Sequence, residues 1–174
     1  MPAAEIHCDE RKIMKKSVII YYSNSGTTAA LARKIKAAFG SKVIRVEPDQ
    51  PYGGYLAAVK RAGIERKNGT IAPYTAPKAD LTDVDVVFVG YPIWYSDAPA
   101  FLLDYLSKQD LKGKTVIPFS TAGANNIKCT LPKLKTAVKG AVLAHPYNYT
   151  KFSKDNFEQW ADVVCKKEGL QKSE

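Results

Sequence analysis

The sequence predicts an α/β fold with a doubly wound five-stranded parallel sheet in the order 2-1-3-4-5. Three observations carry that expectation. Short apolar, β-branched runs alternate with amphipathic helical segments along almost the whole chain, as when helices connect parallel strands. The runs are continuously apolar, which suits strands covered on both faces. The 174 residues make one ordinary domain, large enough to bury about 70% of its unfolded surface without staples.

Residues 1–14 are polar, lack periodicity and contain Pro2. They are expected to form a disordered or tag-like tail outside a single domain spanning residues 15–170. Met14, just before Lys15 and Lys16, would serve as an alternative start. The first strand is residues 17–22. From Gly26 the period becomes helical: Leu31, Ile35, Ala38 and Phe39 fall at i, i+4, i+7 and i+8, and Gly40 ends the helix. Residues 42–46 are the second strand. A turn-rich loop follows at residues 48–54, then a helix over 55–67 with Leu56, Val59 and Ile64 on its inner side. Residues 68–82, rich in Pro and Thr, form a surface connection. Residues 84–91 are the third strand. Asp97, as N-cap, and Pro99 start a helix whose Leu102, Tyr105 and Leu106 face the core. Residues 115–120 are the fourth strand. A helix covers 131–139, with a start as early as Asn126, and residues 141–143 are a short fifth strand. Phe157, Trp160, Ala161 and Val164 mark a closing amphipathic helix.

Composition narrows the function. Hydrophobic residues make up 45% and charged residues 25%, the balance of a folded soluble domain. No stretch approaches the roughly 20 apolar residues of a membrane helix, and no secretory h-region is present. Lys plus Arg number 26 against 17 Asp plus Glu, a net charge of +9. Such an excess suits nucleic acid, an anionic surface or an acidic protein. The basic residues are scattered, with no basic helix, so nucleic acid is not an expected partner. Cys8, Cys129 and Cys165 are far apart, which fits a reducing cytoplasm and no disulfide framework. Neither Cys8 nor Cys129 has an Arg six positions on, so a cysteine-phosphatase loop is absent. His7 and His145 alone cannot build a metal site.

In such a sheet the loops after strands one, three and four meet at the ligand crevice. The first holds Ser23, Asn24, Ser25, Gly26, Thr27 and Thr28, four hydroxyls and a glycine before a helix N-terminus. Free amides and the helix dipole there can hold a phosphate, with hydroxyls completing its shell. No Lys or Arg lies in the loop, as suits a terminal monophosphate held by neutral donors. A Gly-x-Gly-x-x-Gly fingerprint and a Walker lysine are both missing. The alternative is a plain helix cap, which would need one or two such residues rather than five in six. The second loop runs Pro92, Ile93, Trp94, Tyr95, and its aromatics either cover something flat and apolar or pack into the core. The third, Thr121, Ala122, Gly123, Ala124, Asn125, permits close backbone approach and edge hydrogen bonds. Together they describe a site for a flat cofactor with a phosphate tail.

These residues resemble the flavodoxin family, in particular flavodoxin-like bacterial proteins with a Gly-Tyr-Pro-Ile-Trp segment, here Gly90 to Trp94. The resemblance runs from about Lys16 to the last helix. It includes the Ser23–Thr28 loop, the Pro51-Tyr52 turn and residues 113–119. It implies one non-covalent FMN, with Ser23, Ser25, Gly26, Thr27 and Thr28 at the phosphate. Pro92, Ile93, Trp94 and Tyr95 would border the isoalloxazine, and Thr121, Ala122 and Gly123 its pyrimidine side. The flavin would then carry the redox chemistry, and no side chain needs a catalytic acid–base role.

Three features depart from dedicated low-potential carriers of that family. This chain is basic where they are acidic. Its third loop lacks a stacking tyrosine, leaving Tyr147 or Tyr149 to fold over the second face. Its second loop has no glycine after Gly90 to supply a peptide flip. A weakly populated half-reduced state and a less negative final potential are therefore expected. The favoured function is electron transfer between protein partners. The alternative is an FMN-dependent reductase passing electrons from a nicotinamide cofactor to a quinone or nitro-aromatic. A phosphoacceptor receiver is ruled out, because Ser23 and Asn24 stand where its acidic cluster would end the first strand.

Overall fold

Residue alternation within each apolar run decides the layers. In the computed structural model, which describes residues 14–173, Val18, Ile20, Tyr22, Val87, Val89 and Tyr91 face one side of the sheet. Ile19, Tyr21, Val86, Phe88, Ile117 and Phe119 face the other. Both sets are buried, so helices must cover both faces. The tail expected over residues 1–14 lies, apart from Met14, outside the described residues.

The elements are β1 (Ser17–Tyr21), α1 (Thr27–Phe39), β2 (Lys42–Arg45), β3 (Glu47–Pro48), α2 (Tyr55–Asn68), β4 (Tyr74–Thr75) and β5 (Val86–Pro92). They continue with α3 (Ala100–Ser107), β6 (Thr115–Ala122), a 3-10 turn (Ile127–Thr130), α4 (Leu131–Ala137), β7 (Val142–Leu143), β8 (Tyr147–Thr150) and α5 (Phe157–Glu168). The main sheet runs β2-β1-β5-β6-β7 and its pairings are parallel. This is the expected 2-1-3-4-5 order. Leu31, Ile35 and Phe39 of α1 meet Trp160, Ala161 and Val164 of α5 on one face. Phe101, Leu102 and Leu106 of α3 and Leu134 of α4 fill the other.

The fifth strand is longer than the sequence suggests. After β7 the chain turns at His145, with φ 47, and β8 pairs with β6 from Phe119↔Tyr147 to Ala122↔Thr150. Pro146 interrupts the run, and the polar Tyr-Asn-Tyr-Thr that follows does not read as a covered strand. β3 and β4 form a small antiparallel sheet inside the two connections.

Three local expectations change. Leu56 and Ile64 are 82% and 52% exposed. Val59 packs on the core as expected, but the rest of the inward face is Ala58, Arg61, Ala62 and Glu65, an i, i+3, i+4, i+7 stripe. Ala58 is buried and Ala62 packs on the core, while Arg61 lies 4.1 Å from the Tyr52 ring centroid. Glu65 accepts from the Tyr52 hydroxyl at 2.5 Å. These contacts fix the roll of the helix. Second, α3 starts at Ala100 with Pro99 as N-cap, and Asp97 instead closes a hairpin with Trp94. Third, Asn126 caps the 3-10 turn by accepting from Lys128 N, and α4 proper ends at Ala137.

Candidate functional site

β1, β5, β6 and β8 are parallel and end at one sheet edge, so their loops converge. The loop after β1 is held by its own side chains. Ser23 Oγ accepts from the amides of Gly26 and Ala29, both at 3.1 Å. Asn24 accepts from Tyr22 OH at 3.0 Å and donates to the Gly53 carbonyl at 3.1 Å. Gly26, the N-cap of α1, takes φ 92, a left-handed conformation costly for other residues. The amides of Thr27 and Thr28, in the first helical turn, have no intrahelical acceptor. They and the Ser25 and Thr27 hydroxyls, 3.2 Å apart, form a neutral donor cluster at the positive end of α1. Thr28 is buried and its hydroxyl pairs with that of Thr121 at 2.7 Å, locking the first loop to the third.

The second loop is a tight hairpin. Trp94 and Asp97 exchange both backbone hydrogen bonds at 3.0 Å, with Tyr95 at φ 50 and Ser96 at φ 62. Two left-handed residues in succession match a type I′ turn, and neither is glycine. Ile93 N donates to the Thr121 carbonyl at 3.0 Å, clamping this loop on the third. Trp94 is 8% exposed, with its ring centroid 5.9 Å from that of Tyr22 and 4.9 Å from that of Tyr52. Tyr95 is 44% exposed and lies against Gly63 of α2, where a Cβ would fall 2.7 Å from its hydroxyl. Burial pushes the hydroxyls of Tyr22 and Tyr52 well above the ordinary tyrosine range. Both are held neutral beneath the site.

A cleft of about 880 Å³ joins these parts, within the size range of cofactor pockets. Of the residues singled out from the sequence, Ser25, Thr27, Pro92, Ile93, Trp94, Tyr95, Thr121, Ala122 and Gly123 line it. Ser23, Gly26 and Thr28 do not; Ser23 and Thr28 are buried supports of the loop. Tyr147 does not fold over the cleft: it is buried against Phe157 and Trp160 on the opposite face. Tyr149, from β8, does line it. The sequence reading missed Tyr55, Val59, Lys151 and Phe152, which also line it. Tyr55 and Phe152 are exposed aromatics, a signal visible in the sequence only once the ends of α2 and β8 are placed. Lys151 is the one charged side chain of the lining, among the described residues.

Comparison with known proteins fits this arrangement. The flavodoxin family model matches residues 16–164, and the chain belongs to that family. A Bacteroides uniformis protein assigned as a flavoprotein shares 25% identity at a TM-score of 0.74, over 86% of this chain and 99% of that one. One from Bacteroides eggerthii shares 29% at 0.72, over 86% and 98%. A Lactobacillus acidophilus flavoprotein, solved in complex with FMN, shares the fold at 0.67 with 19% identity, over 84% and 99%. No curated protein matches the chain.

Proposed function

We propose that this flavodoxin-family chain binds one FMN non-covalently and carries electrons between protein partners. One observation supports the reading above others: a neutral donor cluster at the start of α1 opens into the same cleft as Tyr95, Trp94 and the Thr121–Gly123 backbone. In this reading the amides of Thr27 and Thr28 and the hydroxyls of Ser25 and Thr27 hold the phosphate, while the Gly26 amide, expected from the sequence to join them, is already engaged by Ser23 Oγ. Ser23 and Thr28 keep the loop in shape through their side chains. Pro92, Ile93 and Tyr95 border the ring, with Trp94 offering an edge because Tyr22 and Tyr52 occupy its flanks. Thr121, Ala122 and Gly123 approach the pyrimidine side. FMN, when bound, supplies the electron chemistry; the chain binds it, orients it and limits water around it.

The second reading, an FMN-dependent reductase using a nicotinamide cofactor, draws on the cleft lining, which holds a lysine and no carboxylate. Positive charge favours the fully reduced flavin over intermediate states. Stepwise reduction of the FMN complex, followed by NADH or NADPH with a quinone, separates the two. A carrier turns over slowly with nicotinamide even where its half-reduced state is weakly populated. Rapid turnover of NADH or NADPH with the quinone would establish the reductase instead. A reducing cytoplasmic setting belongs to this proposal; among the described cysteines, Cys129 and Cys165 are both free thiols.

A further inference from the structure

The cleft has a wall that neither the donor loop nor the Pro92–Tyr95 loop supplies. β8 ends at Thr150, and the turn beyond it places Lys151 and Phe152 in the lining. Phe152 is 89% exposed, more than any other large hydrophobic side chain among the described residues. An exposed phenylalanine forfeits the burial that would otherwise stabilise the fold. The turn that presents it is nonetheless well tied. Thr150 N donates to Ser153 Oγ at 3.0 Å, Ser153 N donates to the Thr150 carbonyl at 3.2 Å, and Phe152 N donates to Thr150 Oγ1 at 3.3 Å. The strand register pairs Thr121 with Tyr149 and Ala122 with Thr150. Lys151 and Phe152 therefore emerge directly beside Gly123, at the end of the cleft assigned above to the pyrimidine.

We propose that this turn is the outer wall of the ring site. Phe152 covers the ring face left open by the Pro92–Tyr95 loop, and Lys151 sets its ammonium beside the pyrimidine edge, where negative charge gathers on reduction. The inference rests on the FMN reading above. A covering phenylalanine adds apolar contact to any flavin ring, phosphorylated or not. A single ammonium in a cleft without carboxylates favours the reduced over the oxidised cofactor, and barely alters oxidised binding.

The test titrates the full chain with FMN and with riboflavin, and measures the two-electron potential of the bound cofactor. Phe152→Ala should weaken FMN and riboflavin by a similar factor, about three- to tenfold. Lys151→Gln should leave oxidised FMN and riboflavin binding within about twofold while lowering the preference for reduced FMN about five- to tenfold; Lys151→Arg should retain that preference. Both side chains are exposed, so these variants should fold. Unchanged flavin affinity in Phe152→Ala would overturn the proposal by showing that the ring faces something else. Lys151→Gln weakening FMN but sparing riboflavin would overturn it by placing the ammonium on the phosphate. Failure of the unaltered chain to take up FMN would instead defeat the cofactor reading itself.

Discussion

At Gly26 the backbone sits at φ 92, yet a Cβ there would meet no atom within 4 Å. The requirement is conformational, so Gly26→Ala should cost about 1–2 kcal/mol from left-handed strain alone. It should also weaken FMN binding by tilting the first-turn amides, while leaving riboflavin binding nearly unchanged. Denaturant unfolding and the two titrations check both parts. Gly90 is the opposite case. Its Cβ would fall 2.1 Å from the Phe119 ring, inside a fully buried layer. Gly90→Ala should therefore destabilise by about 1–3 kcal/mol or more through overpacking. A Gly90→Ala protein as stable as the parent would show that Phe119 has room to move. The sequence places Gly90 in the third strand; that its missing side chain makes room for the Phe119 ring appears only when β6 is set beside β5.

The hairpin after β5 carries strain at the element scale. Tyr95 and Ser96 both hold positive φ, and only the second can be relieved without removing the aromatic ring. Ser96→Gly should raise stability by about 1 kcal/mol, seen as a higher melting temperature, because glycine adopts this region freely. An unchanged or lower melting temperature would mean that the turn is not under strain. Elements with a clear period were legible: α1 and α5 show their buried stripes in the sequence, and the apolar runs became β1, β5 and β6. α2 was legible in extent and in the inward placing of Val59, but Leu56 and Ile64 face outward, because Ala58 and the Tyr52–Arg61–Glu65 contacts set its roll. β8 was not legible, since Pro146 precedes it and polar residues alternate along it. Missing β8 also concealed Lys151 and Phe152, although Tyr149 beside them was one of the two tyrosines expected at the cleft. The donor loop, by contrast, was readable from hydroxyl density alone, although Ser23 and Thr28 turn out to support it from within.

Across the whole molecule, tyrosine burial sets an alkaline limit. Removal from water raises the hydroxyls of Tyr22, Tyr52 and Tyr91 far above their ordinary value. The hydroxyl of Tyr147 is pushed up to about 12 by the same cause. Each must lose its proton more easily unfolded than folded. Their contribution is therefore complete below the unfolded value of about 10 and is lost as pH rises above it. Urea unfolding at pH 8, 9.5 and 11 should show stability falling steeply only over the last interval. A flat profile to pH 11 would contradict the burial of these groups. The net charge of +9 acts on the same scale, and added salt should reduce whatever part of the cofactor's potential comes from distant lysines and arginines. A fold that holds a phosphorylated flavin by its phosphate and its ring together must distinguish FMN from riboflavin. Equilibrium titration of the unaltered chain with FMN and with riboflavin should give one site for each, with FMN bound at least about a hundredfold more tightly, given charge-assisted bonds to first-turn amides. Equal affinities would contradict the phosphate cradle and with it this account of the site.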